Sequence, residues 1–155
     1  MTLAEDISLL IRVPLFADLS GDHLRLLAFS AVRLELPAGR ELFRKGAPAG
    51  SGFVIMGGQV ELADPDRPAP LPLAQFGPGT LLGETALFVE TRRPASAVAQ
   101  VDSLLIEIDR TLIQRMLSEY PDVTTRLHAR LSDKFAGVLT ETIRIKPRLD
   151  AIAYP

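Results

Sequence analysis

Residues 76–88 read Phe-Gly-Pro-Gly-Thr-Leu-Leu-Gly-Glu-Thr-Ala-Leu-Phe, and residues 92–97 read Arg-Arg-Pro-Ala-Ser-Ala. These two runs hold the residue types with the clearest chemistry. Glycine lets a backbone approach a ligand closely, because no Cβ stands in the way. A short helical turn over residues 84–88 presents backbone N–H groups at its start, which suits an anion. Glu84 is acidic where the site otherwise seeks an anion, so its partner is a different group, such as a sugar hydroxyl. An arginine closing the run forks onto phosphate oxygens. Arg92 and Arg93 both qualify, depending on register. Together these parts suit a small, singly charged phosphate ester. There is also a purely structural reading, in which Glu84 pairs with Arg93 because a buried charge needs a partner. Gly77-Pro78-Gly79 reads as an ordinary turn.

The rest of the composition narrows the function class. A chain of 155 residues fits one domain, and 47% hydrophobic residues can bury a core. The net charge of −2 argues against a nucleic-acid partner. Without cysteine there is no disulfide, thiolate metal site or cysteine nucleophile. His23 and His128 stand alone on helical segments, which is read as a helix-face or surface role and argues against a metal enzyme. No nucleophile is paired with a base, so no enzymatic activity and no cofactor are expected. The N-terminus is acidic, its apolar run is broken by Arg12, and it does not read as a signal peptide. No run approaches the roughly 20 apolar residues of a membrane span, so no membrane partner is expected and the cytoplasm is the default location.

The elements that must position these groups fall into three parts. Residues 1–30 read as helical, with Leu3, Ile7, Leu10 and Ile11 at helical spacing. Pro14 ends the first helix, and Ser20 is a good N-cap for a second carrying Leu24, Leu27 and Ala28. Residues 31–110 read as strands. Val32, Leu34 and Leu36 alternate with charges, a turn follows at 37–39, and 41–45 is a second strand. Residues 46–52 read as a loop, and 53–62 as a hairpin around Gly57-Gly58. Further strands are expected at 71–76, 96–101 and 104–108, after a proline-rich loop at 64–70. Residues 111–146 read as helices, the first capped by Thr111 and the second opened by Pro121 and running to about Ile145. Residues 147–155 form a tail. The expected fold is α+β and mainly β: an eight-stranded jelly-roll β-barrel with N-terminal helices, a short cassette helix and a long C-terminal helix.

Several stretches in order resemble cyclic nucleotide-binding domains of the catabolite-activator and protein-kinase-regulatory-subunit type. Pro14-Leu15-Phe16 with Leu19 and Leu24 resembles their entry segment, and residues 37–46 their second strand pair. Residues 53–61 resemble their central hairpin, and the run from Gly83 to Ser96 their phosphate-binding cassette. The resemblance implies a binding module for cAMP or cGMP, with ligand contacts from Leu82, Gly83, Glu84, Thr85, Ala86, Arg93, Pro94 and Ala95. It implies that Glu84 accepts from the ribose 2′-hydroxyl and that Ala86 offers a backbone N–H to the cyclic phosphate. It further implies that Arg93, ten residues after Gly83, pairs with the phosphate charge. A residue of the last helix would cover the base, with Arg126, Arg130 and Lys134 as candidates. One departure stands out. In those relatives the residue after the arginine donates its backbone N–H to the phosphate, whereas Pro94 has no N–H to give. A charge-assisted bond of that kind is worth roughly 1.5–3 kcal/mol.

The last helix carries Val123, Leu127, Leu131, Phe135, Val138 and Ile145 on one stripe. That stripe packs either on its own barrel or on the same helix of a second copy, and a parallel homodimer is the expectation. Gly137 allows close helix approach or a bend. No output domain follows residue 145, so the output is expected in an effector protein, unless the chain is a piece of a longer one. The expected function is a cyclic-nucleotide sensor signalling through its C-terminal helix. The alternative is a degenerate, non-binding family member acting as a dimeric scaffold.

Overall fold

The computed structural model describes residues 2–67, 74–125 and 127. The chain opens with helix α1 (Leu3–Leu10), whose start is held by a reciprocal cap: Thr2 Oγ1 accepts from the Glu5 N–H while Glu5 reaches back to the Thr2 N–H. A single 3-10 turn, Pro14–Phe16, buries Leu15 and Phe16. Helix α2 (Gly21–Ser30) begins at Ser20, whose hydroxyl accepts from the His23 N–H as the sequence predicts.

Ten strands follow among the described residues: β1 (Val32–Leu36), β2 (Glu41–Phe43), β3 (Pro48–Ala49), β4 (Ser51–Gly57), β5 (Val60–Ala63), β6 (Ala74–Phe76), β7 (Leu81–Leu82), β8 (Thr91–Arg92), β9 (Ser96–Ala99) and β10 (Ser103–Asp109). They form two four-stranded antiparallel sheets, β1-β10-β4-β7 and β2-β9-β5-β6, with a short ribbon of β3 and β8. The architecture is α+β with a sandwich of antiparallel sheets rather than a closed eight-stranded barrel; β7 lies where no strand is expected, and the ribbon is additional. Helix α3 (Arg110–Glu119) closes this part, and residues 121–125 and 127 are again helical, opened by Pro121. The remainder of the expected long C-terminal helix lies outside the described residues.

Two apolar cores explain why β4 reads as a continuous hydrophobic run. Its Phe53 and Ile55 face the interior between the sheets, with Leu36, Val60, Leu62, Leu82 and Leu105. Its Val54 and Met56 face the other way, onto Leu10, Phe16, Leu24, Leu27, Ile113 and Met116 of the helices. A strand buried on both faces has no polar side to alternate with. β10 behaves alike, with Leu105 inside the sandwich and Ile106 and Ile108 under the helices. Val123 and Leu127 join the helical core, so the start of the last stripe packs on its own domain.

Several expectations need correction. The turn at Gly57-Gly58 does not close a hairpin, because β4 pairs with β10 and β7 while β5 pairs with β9 and β6. The turn instead hands the chain from one sheet to the other. Gly58 allows it, at φ 93° and with a Cβ position only 2.7 Å from Ser103 Cα. The cap of α3 is Asp109, whose carboxylate accepts from the Thr111 N–H, rather than Thr111 itself. The expected loop at 46–52 contains β3 and the first residues of β4, and only 74–76 of the expected strand at 71–76 lies among the described residues. His23 is buried, with its ring edge-on to Tyr120 at 4.7 Å and Nδ1 2.9 Å from Ser20 Oγ. His128 lies outside the described residues.

Candidate functional site

The site is built where the two cores meet. Leu82, on β7, is sealed in the sandwich interior, and Leu87, five residues on, is sealed in the helical core. Burying a leucine fully is worth about 1.5–3 kcal/mol, so the short segment between them is pinned at both ends. Its path bends at Gly83, which adopts φ 79° and ψ 37°, the left-handed region, and caps the 3-10 turn Glu84–Leu87. A side chain is excluded at Gly83 for a second reason. A Cβ there would stand 2.5 Å from Arg93 Nη1 and 3.3 Å from the Ser51 carbonyl oxygen.

The β3–β8 ribbon settles which arginine turns inward. Pro48 pairs with Arg92, and Arg92 points out to solvent, where its Nη1 donates to the Gly46 carbonyl at 2.8 Å. The next side chain, Arg93, therefore enters the protein and is only 5% exposed. Its Nη2 donates to the Ser51 carbonyl at 2.8 Å. Its guanidinium lies over the Phe43 ring, 4.5 Å from the centroid, and near Phe53 at 5.4 Å. Nη1 is buried and has no hydrogen-bond partner. The ion pair with Glu84 that the sequence left open is not made: among the described residues no carboxylate approaches Arg93 within 4.0 Å. Burial holds Arg93 below its usual range, and the charge of Glu107 partly counters that. A buried cation with an unpaired donor is costly, and an anion at Nη1 relieves that cost.

Arg93 borders a cavity of about 260 Å³ that is lined also by Gly83, Glu84, Thr85, Ala86, Pro94 and Ala95. Seven of the eight residues proposed from the sequence thus share one cavity. Leu82 does not; it is fully buried behind the turn. The space exists because Ala49, Ala86 and Ala95 stand where larger side chains would fill it. The volume lies just below the usual range of ligand pockets, which run from about 300 Å³ upward. Its donor set is narrow. The Ala86 N–H donates to the Gly83 carbonyl at 3.1 Å, inside the turn. The Arg93 N–H donates to the Ala47 carbonyl at 2.8 Å, and Pro94 has none. Ser96 begins β9 and its hydroxyl accepts from the Lys45 N–H.

Three site residues escaped the sequence reading. Phe43 gave no sign beyond its place on an expected strand. Ser51 sat inside an expected loop. Arg110, at the start of α3, donates through Nε to the Ala86 carbonyl at 3.0 Å and through Nη2 to the Ala49 carbonyl at 2.6 Å. It ties the 3-10 turn, the ribbon and the helix together, and no local pattern announces such a bridge. The candidate base-covering residues Arg126, Arg130 and Lys134 lie outside the described residues.

Comparison with known proteins bears on the family and the fold. Residues 33–120 match the cyclic nucleotide-binding domain family. A cyclic nucleotide-binding-like protein from Brucella abortus is 41% identical, with a TM-score of 0.68 over 74% of this chain and 98% of that one. The N-terminal domain of a transcriptional regulator from Streptomyces coelicolor is 30% identical, with a TM-score of 0.78 over 83% of this chain and 93% of that one. The catabolite activator protein of Thermus thermophilus is 28% identical, with a TM-score of 0.71 over 86% of this chain and 63% of that one. Among curated relatives, a lysophospholipase of Chaetomium globosum is 22% identical over 114 residues, which is 73% of this chain and 8% of that protein. The neuropathy target esterase of Drosophila grimshawi is 28% identical over 104 residues, 66% of this chain and 7% of that protein. The chain thus spans less than a tenth of the length of these two enzymes. The match across residues 33–120, together with the two-sheet sandwich and its N-terminal helices, makes this chain a member of the cyclic nucleotide-binding domain family.

Proposed function

We propose that residues 1–155 form a single sensor domain that binds cAMP or cGMP in the Arg93 cavity and relays binding through its C-terminal helix to an effector protein. The observation that carries this reading is Arg93 itself: a nearly fully buried guanidinium with an unpaired Nη1, on a residue that lines a cavity together with Glu84. In this reading Nη1 pairs with the cyclic phosphate and Glu84 accepts from the ribose 2′-hydroxyl. Gly83 keeps the backbone low beneath the ligand, and the domain binds rather than catalyses. Arg110 supports the relay, since it fastens the turn of the site to the first residue of α3. A parallel homodimer through the C-terminal helix and a cytoplasmic location belong to the same proposal. Among the described residues no helix is long and apolar enough to cross a membrane.

A second reading, a non-binding dimeric scaffold, is favoured by two facts about donors. Pro94 offers no N–H, and the Ala86 N–H is engaged within its own turn. Calorimetric titration with cAMP and then cGMP separates the two, using protein unfolded and refolded to strip carried-over ligand. Saturation with either at micromolar or lower concentration that is lost in Arg93→Ala supports the sensor. No heat with either and an unchanged melting temperature support the scaffold.

A further inference from the structure

We infer that Glu107, acting through the Ser51 hydroxyl, is a positioning residue that holds Arg93 with Nη1 beside Gly83, clear of protein hydrogen bonds. The inference rests on the reading of Arg93 as the anion-binding group. Ser51 is buried at the start of β4, and Glu107 is half-buried on the adjoining strand β10. The register sets Glu107 opposite Phe53 and Asp109 opposite Ser51, so Glu107 is the diagonal neighbour of Ser51 on the paired strand. Asp109 is engaged elsewhere, capping α3 through the Thr111 N–H. The Ser51 hydroxyl donates to Glu107 Oε2 at 2.7 Å.

A hydroxyl has one hydrogen, so once that hydrogen goes to Glu107 the oxygen presents only lone pairs elsewhere. Those lone pairs, with the Ser51 carbonyl, are what Arg93 meets: Nη2 lies 2.8 Å from the carbonyl and 3.5 Å from Oγ. Both contacts fall on the same nitrogen. Because the guanidinium is planar, fixing Nη2 against Ser51 and the plane against Phe43 also fixes where Nη1 points. If the hydroxyl hydrogen were released from Glu107, it would be free to rotate toward Arg93 and present a donor to a donor. Glu107 is also the carboxylate whose charge acts on Arg93. Its role is orientation of a binding group, with no ligand contact of its own, since it does not line the cavity.

The sign of one substitution tests this. Glu107→Met keeps the length but removes both the negative charge and the oxygen that accepts the Ser51 hydrogen. If Glu107 merely neutralised Arg93, its loss would strengthen binding of an anionic ligand. A positioning role has the opposite sign, with cAMP or cGMP binding weakened about 5- to 10-fold, the size of one ordinary hydrogen bond. Ser51→Ala is expected to weaken binding similarly, and Ser51→Thr, which keeps the hydroxyl, to restore it. Unchanged or tighter binding in Glu107→Met overturns the inference. Side-chain nitrogen NMR of Arg93 in the ligand-free protein gives an independent reading. The wild type is expected to show separate, slowly exchanging Nη1 and Nη2 signals, and Glu107→Met averaged ones. If the wild type binds neither nucleotide, the sensor reading fails and the NMR comparison alone decides: averaged signals in the variant support the inference, and signals like the wild type's overturn it.

Discussion

Gly83→Ala tests the site through backbone and side chain at once. Two separate costs arise. The first is conformational: alanine at φ 79° pays the left-handed penalty of roughly 1–2 kcal/mol. For a domain of this size that lowers the melting temperature by about 2–8 °C. The second is steric. The new Cβ stands 2.5 Å from Arg93 Nη1, roughly 1 Å inside ordinary van der Waals contact. Arg93 cannot absorb that by a small slide, because Nη2 is held by the Ser51 carbonyl and the guanidinium lies over Phe43. Nη1 must therefore leave its position beside Gly83. Loss of that one charge-assisted bond weakens nucleotide binding about 10- to 100-fold. Gly39→Ala is the control. Gly39 has φ 83° but open space around its Cβ position, so this variant carries the first cost without the second. The assay is thermal unfolding of both variants followed by calorimetric titration. Both are expected to melt lower, Gly83→Ala more so, with only Gly83→Ala losing affinity. If Gly83→Ala binds as tightly as Gly39→Ala, the placement of Nη1 against Gly83 is wrong as a basis for binding.

Other predictions follow from neighbouring contacts. Arg110→Ala removes two charge-assisted bonds and leaves the Ala86 and Ala49 carbonyls without them; the expected cost is about 1–3 kcal/mol, read by chemical denaturation. Phe43→Leu keeps an apolar side chain but removes the ring beneath Arg93, and is expected to weaken nucleotide binding by a few-fold at nearly unchanged melting temperature. Asp64 is held below its usual range by the Lys45 ammonium and then by the Asp66 N–H. A carboxylate with a lowered folded value contributes stability above its unfolded pKa of about 3.9 and loses it as pH falls further. Asp64→Asn is therefore expected to lower stability slightly at neutral pH, where the carboxylate is charged and partly screened, and to converge with the wild type below about pH 4, which flattens the acid limb.

The sequence by itself determined the local elements and the chemistry on offer. Ser20 as a helix cap, Pro14 as a helix end and the strand at 32–36 follow from short-range rules, and each is present. The spacing from Gly83 to Arg93 names a glycine, a carboxylate and a guanidinium, and the structure brings all three to one cavity. Tertiary structure decided what local rules cannot reach. Gly57-Gly58 looks like a hairpin turn, yet β4 is claimed by β10 and β7, because a strand apolar on both faces belongs between two cores. The choice of Arg93 over Arg92 rests on the pairing of Pro48 with Arg92, a contact between residues 44 positions apart. Phe43, Ser51, Glu107 and Arg110 come from four distant stretches and meet around Arg93 and its turn only once the sheets are assembled. A side chain's partner across the fold is set by packing and register, and neither is written in its own neighbourhood.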